Sequence, residues 1–273
     1  MVKIYSKNLK NRLGQGKAKI RCGIKYGIKL WSKNLDCFAK ALELQKLKEV
    51  DFIELYLVPD SFKLAELKPL RGVVSAVHTP HLSHDFNIFD LDSSKKELFK
   101  NEVAAAADFL KARFIIVHAG IGSLKEVFKK NIAQLYDQRI LIENMPKIGL
   151  NDKICFGYSL EQLKFIKNCG LNICLDFQHA FKSAVSQGLN YKNFIKSLID
   201  ELHPSYFHIS GGESSNEKDE HLDLFEGDFD SAWLKKILSK AGEEKEIYVV
   251  FEVPKREGLE NDIKNIKYFK EQI

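Results

Sequence analysis

Six apolar runs in this chain each finish on a residue able to hold a divalent metal. Val73–Val77 leads into His78, Phe114–Val117 into His118 and Ile140–Ile142 into Glu143. Ile173–Leu175 leads into Asp176, Tyr206–Phe207 into His208 and Tyr248–Phe251 into Glu252. Mixed histidine and carboxylate ligands suit zinc, manganese or iron rather than calcium. Further candidates follow on the connections: His179, three residues after Asp176, and Asp219 and His221 in the stretch Lys218-Asp219-Glu220-His221. Taken alone, a histidine behind an apolar run is more often a hydrogen-bonded core group, and a lone carboxylate more often a helix cap or loop charge. Six in register are different, because carboxylates crowded at one place repel strongly unless a cation compensates them. His81 and His84 come soon after His78 and read as substrate contacts or as plain surface loop, while His203, before Pro204, reads as structural. Gly14-Gln15-Gly16-Lys17 follows no strand and lacks the rest of a phosphate loop. No nucleophile elbow is present.

The elements that must position these groups are legible as short apolar runs alternating with amphipathic stretches. The runs are Tyr26–Leu30, Phe52–Leu57, Val73–His78, Phe114–His118, Ile140–Glu143, Ile173–Asp176, Tyr206–His208 and Tyr248–Glu252. Uninterrupted apolar runs of this length suit buried parallel strands. Helical patterns cover Leu35–Val50, Ser94–Leu110, Leu124–Asp137, Leu160–Asn168, Tyr191–Leu202, Phe229–Ala241 and Leu259–Gln272, with a short, weak connection around Ser61–Leu67. Ser159, three residues before Gln162, and Asp92 or Ser93 read as helix caps, and Gly170 as a helix stop. Eight strand-then-helix units predict an α/β fold, a single (β/α)8 barrel, with the six ligand-bearing ends converging on one face. The longest irregular stretches, His78–Asp92 and Ser210–Asp228, are of a length that in compact domains is usually functional.

A chain of 273 residues is the right size for one such barrel, typically about 250 residues. We divide it into a basic N-terminal extension, residues 1–22, and a barrel, residues 23–273. Ten of the 42 basic residues fall within residues 1–35, which hold no Asp or Glu, so residues 36–273 carry 32 basic against 37 acidic groups. The basic segment reads as a solvated extension or as an arm for an anionic partner. Five cysteines without a CxxC pair argue against a disulfide framework or a cysteine zinc knuckle and for a cytoplasmic setting. No stretch is apolar enough to span a membrane, and the N-terminus has no signal-peptide core.

The ordered motifs VHTPH, IIVHAG, ILIENMP, CLDFQHAF, FHISGGES, DEHLDLFEGDFD and VVFEVP resemble the endonuclease IV group of the xylose isomerase-like TIM barrels. The likeness runs from about Val73 to the C-terminus, about three quarters of the chain. It implies up to three zinc ions on nine ligands. His78, His118 and Glu143 would hold the first; Glu143 would bridge to a second on Asp176, His208 and Glu252; His179, Asp219 and His221 would hold the third. The implied chemistry is hydrolysis of a phosphodiester beside an abasic site in DNA, or of a smaller phosphodiester. Two features depart from that group. The second strand, FIELYLVPDS, is similar to the sugar isomerases and epimerases of the same superfamily, and the first loop lacks the group's glycines. Glu220 stands where the DNA enzymes carry an arginine, and a glutamate there is expected to repel phosphates.

Three readings follow. The first is a metal-dependent phosphoesterase. The second is an isomerase or epimerase of sugars or sugar phosphates with one Mn2+ or Mg2+, in which Glu143 and Glu252 are catalytic and move a proton between adjacent carbons while His118 and His179 contact substrate. The third is a binding protein on a retired barrel, which a full ligand set disfavours.

Overall fold

The computed structural model describes residues 23–256 and 258–272. The basic segment 1–22 and the glycine pair within it lie outside the described residues. Eight parallel strands close into a barrel in sequential order. They are β1 (Gly23–Trp31), β2 (Phe52–Tyr56), β3 (Val74–His78), β4 (Phe114–His118), β5 (Ile140–Glu143), β6 (Asn172–Asp176), β7 (Tyr206–Ile209) and β8 (Glu246–Phe251). Closure is made by β1 pairing with β8 from Gly23 opposite Glu246 to Ile28 opposite Phe251. Every expected strand is present, because each is apolar on both faces: one packs on the helices, the other fills the barrel.

The two faces bury different cores. Outward residues such as Ile142, Leu175 and Phe207 pack on the helical ring. Inside, Phe52, Tyr206 and Tyr248 plug the barrel with Ala76, Ile116, Leu141, Cys174 and Val250. The rings meet at 5.3 Å for Phe52–Tyr248 and 5.2 Å for Phe114–Tyr206, within the range of favourable aromatic pairs. Above this plug the interior turns polar, with Lys29, Glu54, His78, Glu143, Asp176 and His208 all buried.

Several helices differ from the sequence pattern. Ser94–Leu110 is helical from Ser93, but its middle, Phe99–Ala104, widens into a π-turn. Leu35–Val50 contracts to Asp36–Lys46 and Leu124–Asp137 to Lys125–Ile132, since apolar periodicity outruns the point where the chain must turn back to the sheet. The Phe229 helix starts at Ser231, capped by Asp230, and runs to Glu244. The weak second connection is a 3-10 turn, Leu64–Leu70. Asp92 and Ser159 accept from the main-chain N–H groups of Lys95 and Gln162 as helix caps should, and Gly170 takes the left-handed conformation that ends a helix. One helix was not expected: Phe177–Val185, directly after β6. His179 therefore sits on a helix and not on a loop.

Phe207 tests the outer core. It is fully buried on β7 and stacks on Phe177 at 5.5 Å. Phe207→Ala is expected to cost about 3–5 kcal/mol, read as a lowered urea midpoint. An unchanged midpoint would mean that this layer does not hold the unexpected helix to the sheet.

Candidate metal centre

The barrel mouth gathers all nine sequence-derived candidates into three groups of potential ligand atoms, each within 4.8 Å of one another. They are His78, His118 and Glu143; Glu143, Asp176, His208 and Glu252; and His179, Asp219 and His221. Glu143 joins the first two through separate oxygens. Its Oε2 lies 3.0 Å from His78 Nε2 and 3.3 Å from His118 Nε2, and its Oε1 lies 3.2 Å from His208 Nδ1. His208 Nδ1 is also 3.1 Å from Glu252 Oε2. In the third group Asp219 Oδ2 is 3.3 Å from His179 Nε2 and 2.9 Å from His221 Nε2. A further grouping puts Cys174 beside Glu143 and His208, but burial pushes its thiol well up, and the thiolate is the form that ligates.

Local structure aims these atoms. His78 Nδ1 donates to the Thr79 carbonyl at 2.7 Å and His179 Nδ1 to the Asn144 carbonyl at 2.8 Å. Each bond places a proton on Nδ1 and turns Nε2 toward the centre, where it would be the ligating nitrogen for a metal. Asp176 serves twice. Its Oδ1 caps the Phe177 helix by accepting from His179 N at 2.7 Å, while its Oδ2 is buried with no hydrogen-bond partner. Glu252 Oε2, close to His208 Nδ1, and His118 Nδ1 are likewise buried and make no hydrogen bond. Buried carboxylate oxygens without donors are costly. A divalent cation would satisfy Asp176 and Glu252 at once, so the donor set fits a metal centre of zinc, manganese or iron type.

The electrostatics agree. Burial alone would raise Glu143, yet His208 and His118 hold its carboxyl well below the usual range. Burial likewise opposes an ionised Glu252, and Lys29, His221 and His208 overcome it. Asp176 has no adequate partner, and burial raises its carboxyl. In the third group burial disfavours a charged His221, but Asp219 and Glu252 lift its imidazole to about 9.

The loop bearing Asp219 and His221 is tied down. Gly211 pairs with Leu222, and a Cβ on Gly211 would sit 2.1 Å from the Asp223 carbonyl oxygen, so only glycine fits. His221 itself is held at φ +48°, a conformation unusual outside glycine and common where side chains are aimed for function. Beneath the loop, buried Lys182 donates to the carbonyls of Glu213 and Asn216, both at 2.8 Å, and pairs with Glu220 at 3.0 Å. Glu220, expected to repel phosphates, is paired with Lys182, and its oxygens also take hydrogen bonds from Glu213 N and the Asn216 side chain.

His81 lies in the cleft, its ring 4.8 Å from Tyr56 and 5.8 Å from His118, but it belongs to none of the three groups. Burial keeps it neutral. His84 is exposed, and His203 caps a helix end in the left-handed conformation. Two interior residues escaped the sequence reading: Lys29 on β1 and Glu54 on β2, paired across the two strands. Their signal was a charge in mid-strand, within YGIKLW and FIELYL, where only strand ends had drawn notice. The cleft above the groups has a main cavity of about 630 Å³, walled by Trp31, His81, Leu82, Met145, Pro146 and Ile148, and a side lobe of about 440 Å³ walled by Lys33, Asn34 and Lys255.

The fold is a (β/α)8 barrel with the three groups of potential ligands gathered at its ring of strand ends. The family model described as xylose isomerase-like TIM barrel matches residues 49–272, and the chain belongs to that family. Among solved structures it is similar to endonuclease IV from Thermus thermophilus, with 19% identity over 90% of this chain and 97% of that one and a TM-score of 0.67. It is similar to a xylose isomerase-type protein from Rhodospirillum rubrum at 12% identity, covering 91% and 98%, with a TM-score of 0.64. It is also similar to D-psicose 3-epimerase from Clostridium cellulolyticum at 15% identity, covering 89% of each chain, with a TM-score of 0.54. No curated protein matches the chain in sequence. Among the described residues no helix is long and apolar enough to cross a membrane.

Two measurements probe the third group. Lys182→Met should loosen the loop and lower bound metal by about one ion per chain, by elemental analysis; unchanged content would release Lys182 from that role. The second is pH. A raised His221 stabilises metal-free protein fully below 6.5, its ordinary value, and that contribution is lost as pH climbs through about 9. Melting temperatures of chelator-treated protein should fall over that interval, and added zinc should flatten the slope. A rising metal-free curve would contradict the pairing with Asp219.

Proposed function

We propose that this protein is a metal-dependent phosphodiesterase of the endonuclease IV type, acting on abasic-site DNA or a smaller phosphodiester. The observation that carries this reading is the third group, His179, Asp219 and His221, standing beside the Glu143-bridged pair. A one-metal isomerase needs no such group. His78, His118 and Glu143 would hold one zinc, Glu143, Asp176, His208 and Glu252 a second, and the third group another. Bound there, the ions supply an activated water and neutralise the phosphate and the leaving oxygen.

The chain's own residues do the rest. Main-chain carbonyls and Glu54 hold the imidazoles in ligating tautomers. Lys182 keeps the Asp219–His221 loop in place. Trp31, Leu82, Met145 and Pro146 wall the cleft. The competing sugar isomerase reading would have Glu143 and Glu252 exchange protons with carbon. Both carboxylates lie among the potential ligand atoms of the central groups, and Glu252 Oε2 makes no hydrogen bond that ligation would have to break, which supports ligand roles for both.

Zinc-loaded protein should cleave an abasic-site duplex or bis(p-nitrophenyl) phosphate, and the double variant D219A/H221A should lose roughly 100-fold or more of that rate. A fully metallated protein that cleaves neither but interconverts ketose sugars would sink the phosphodiesterase reading.

A further inference from the structure

The polar floor beneath the metal groups contains two charges that ligation does not use. Lys29 and Glu54 are opposite each other in the β1/β2 register and are both buried. Lys29 Nζ lies 3.5 Å from Glu54 Oε1 and donates to Glu252 Oε1 at 2.7 Å. Glu54 Oε2 accepts from His208 Nε2 at 2.8 Å and from the Tyr206 hydroxyl at 2.8 Å. The β2/β3 register shifts between Ile53 and Glu54, so the strand irregularity falls at the buried carboxylate.

We propose that Glu54 and Lys29 are positioning residues of the central metal group, Glu54 by fixing the ring of His208 and Lys29 by fixing the carboxylate of Glu252. The inference rests on reading the barrel mouth as a metal centre.

The chemistry distinguishes His208 from its neighbours. His78 and His179 give Nδ1–H to main-chain carbonyls and face the centre through Nε2. His208 is turned the other way. Its Nε2–H goes to a carboxylate, so that Nδ1 is the nitrogen turned toward Glu143 Oε1, Glu252 Oε2 and Asp176 Oδ2 and the one available to a metal. A carboxylate behind a ligating imidazole fixes its tautomer and raises its basicity. A buried carboxylate needs a counter-charge to stay ionised, and Lys29 supplies it. The same ammonium occupies Glu252 Oε1, so that Oε2 remains for a metal. One lysine thus serves two carboxylates that point to a single place.

The test uses full-length protein, zinc as the probe and two readouts. Competition with a chromophoric chelator measures zinc affinity and stoichiometry. Long-range 1H–15N spectra of the metal-free protein report which ring nitrogen of each histidine carries the proton. Glu54→Leu should weaken the central zinc roughly 10–100-fold and abolish the Nε2–H signature of His208, leaving the patterns of His78 and His179 intact. Glu54→Gln keeps an oxygen facing Nε2 and should restore the signature and most of the affinity. Should unpaired Lys29 unfold the single variant, the double variant K29M/E54L removes both charges and is expected to show the same two losses. Wild-type affinity with an unchanged His208 signature in either Leu variant would overturn the proposal and leave the pair as barrel filling. Wild-type protein that binds no zinc would sink this inference and the metal reading together. Wild-type protein that binds zinc but hydrolyses no phosphodiester would sink the proposed activity alone, and the Glu54 variants would still decide this one.

Discussion

The structure turns on the concentration of negative charge inside the barrel mouth. Glu54, Glu143, Asp176 and Glu252 are drawn into a volume lined by hydrophobic strands, three of them with almost no exposure. Their desolvation is opposed by one lysine and a ring of imidazoles, which is the arrangement a buried carboxylate cluster requires. The compensation is uneven. Glu54, Glu143 and Glu252 are held ionised, whereas Asp176 is left to the cost of burial, with an oxygen that no donor reaches. A cation would therefore complete the balance of charges as well as the geometry.

Everything around that cluster serves to aim it. The aromatic plug of Phe52, Tyr206 and Tyr248 closes the barrel below and sets a rigid floor. Tyr206 passes that rigidity upward through its hydroxyl to Glu54, and Glu54 to His208. On the other side Asn144, next to Glu143, accepts from Asp176 N with its side chain and donates to Asp176 O, locking the ends of β5 and β6 together. Its main-chain carbonyl then takes the His179 proton. One residue thus couples candidate ligands of all three groups.

The outer loop is built by different means. Asp219 and His221 come from irregular chain, so no strand register fixes them. Buried Lys182, the constrained Gly211 and a buried knot of Asp223 with Asn261 and Asn265 do so instead. Arg256 clamps the loop's far end through Asp223 and Glu226. Regular structure sets the central candidate ligands, and side-chain anchoring sets the peripheral ones.

The strands and the nine candidate ligands were legible in the sequence because both follow from local pattern. A run of β-branched and aromatic residues cannot be solvated along its length, and a polar residue that ends such a run must emerge at the strand's end. Other features are non-local and so were hidden. The helix after β6 depends on Asp176 capping it and on Phe207 waiting across the sheet. The pairing of Glu220 with Lys182, 38 positions earlier, exists only in the folded chain. Lys29 and Glu54 are charges inside apolar strands; pairing of β1 with β2 sets them opposite one another, and the closed barrel brings them to His208 and Glu252. The sequence by itself determined which residues lie at the strand ends, since hydrophobic burial acts along the chain. Only the tertiary structure decided how those ends divide into three groups and which atom of each faces inward, since charge compensation and tautomer choice act across it.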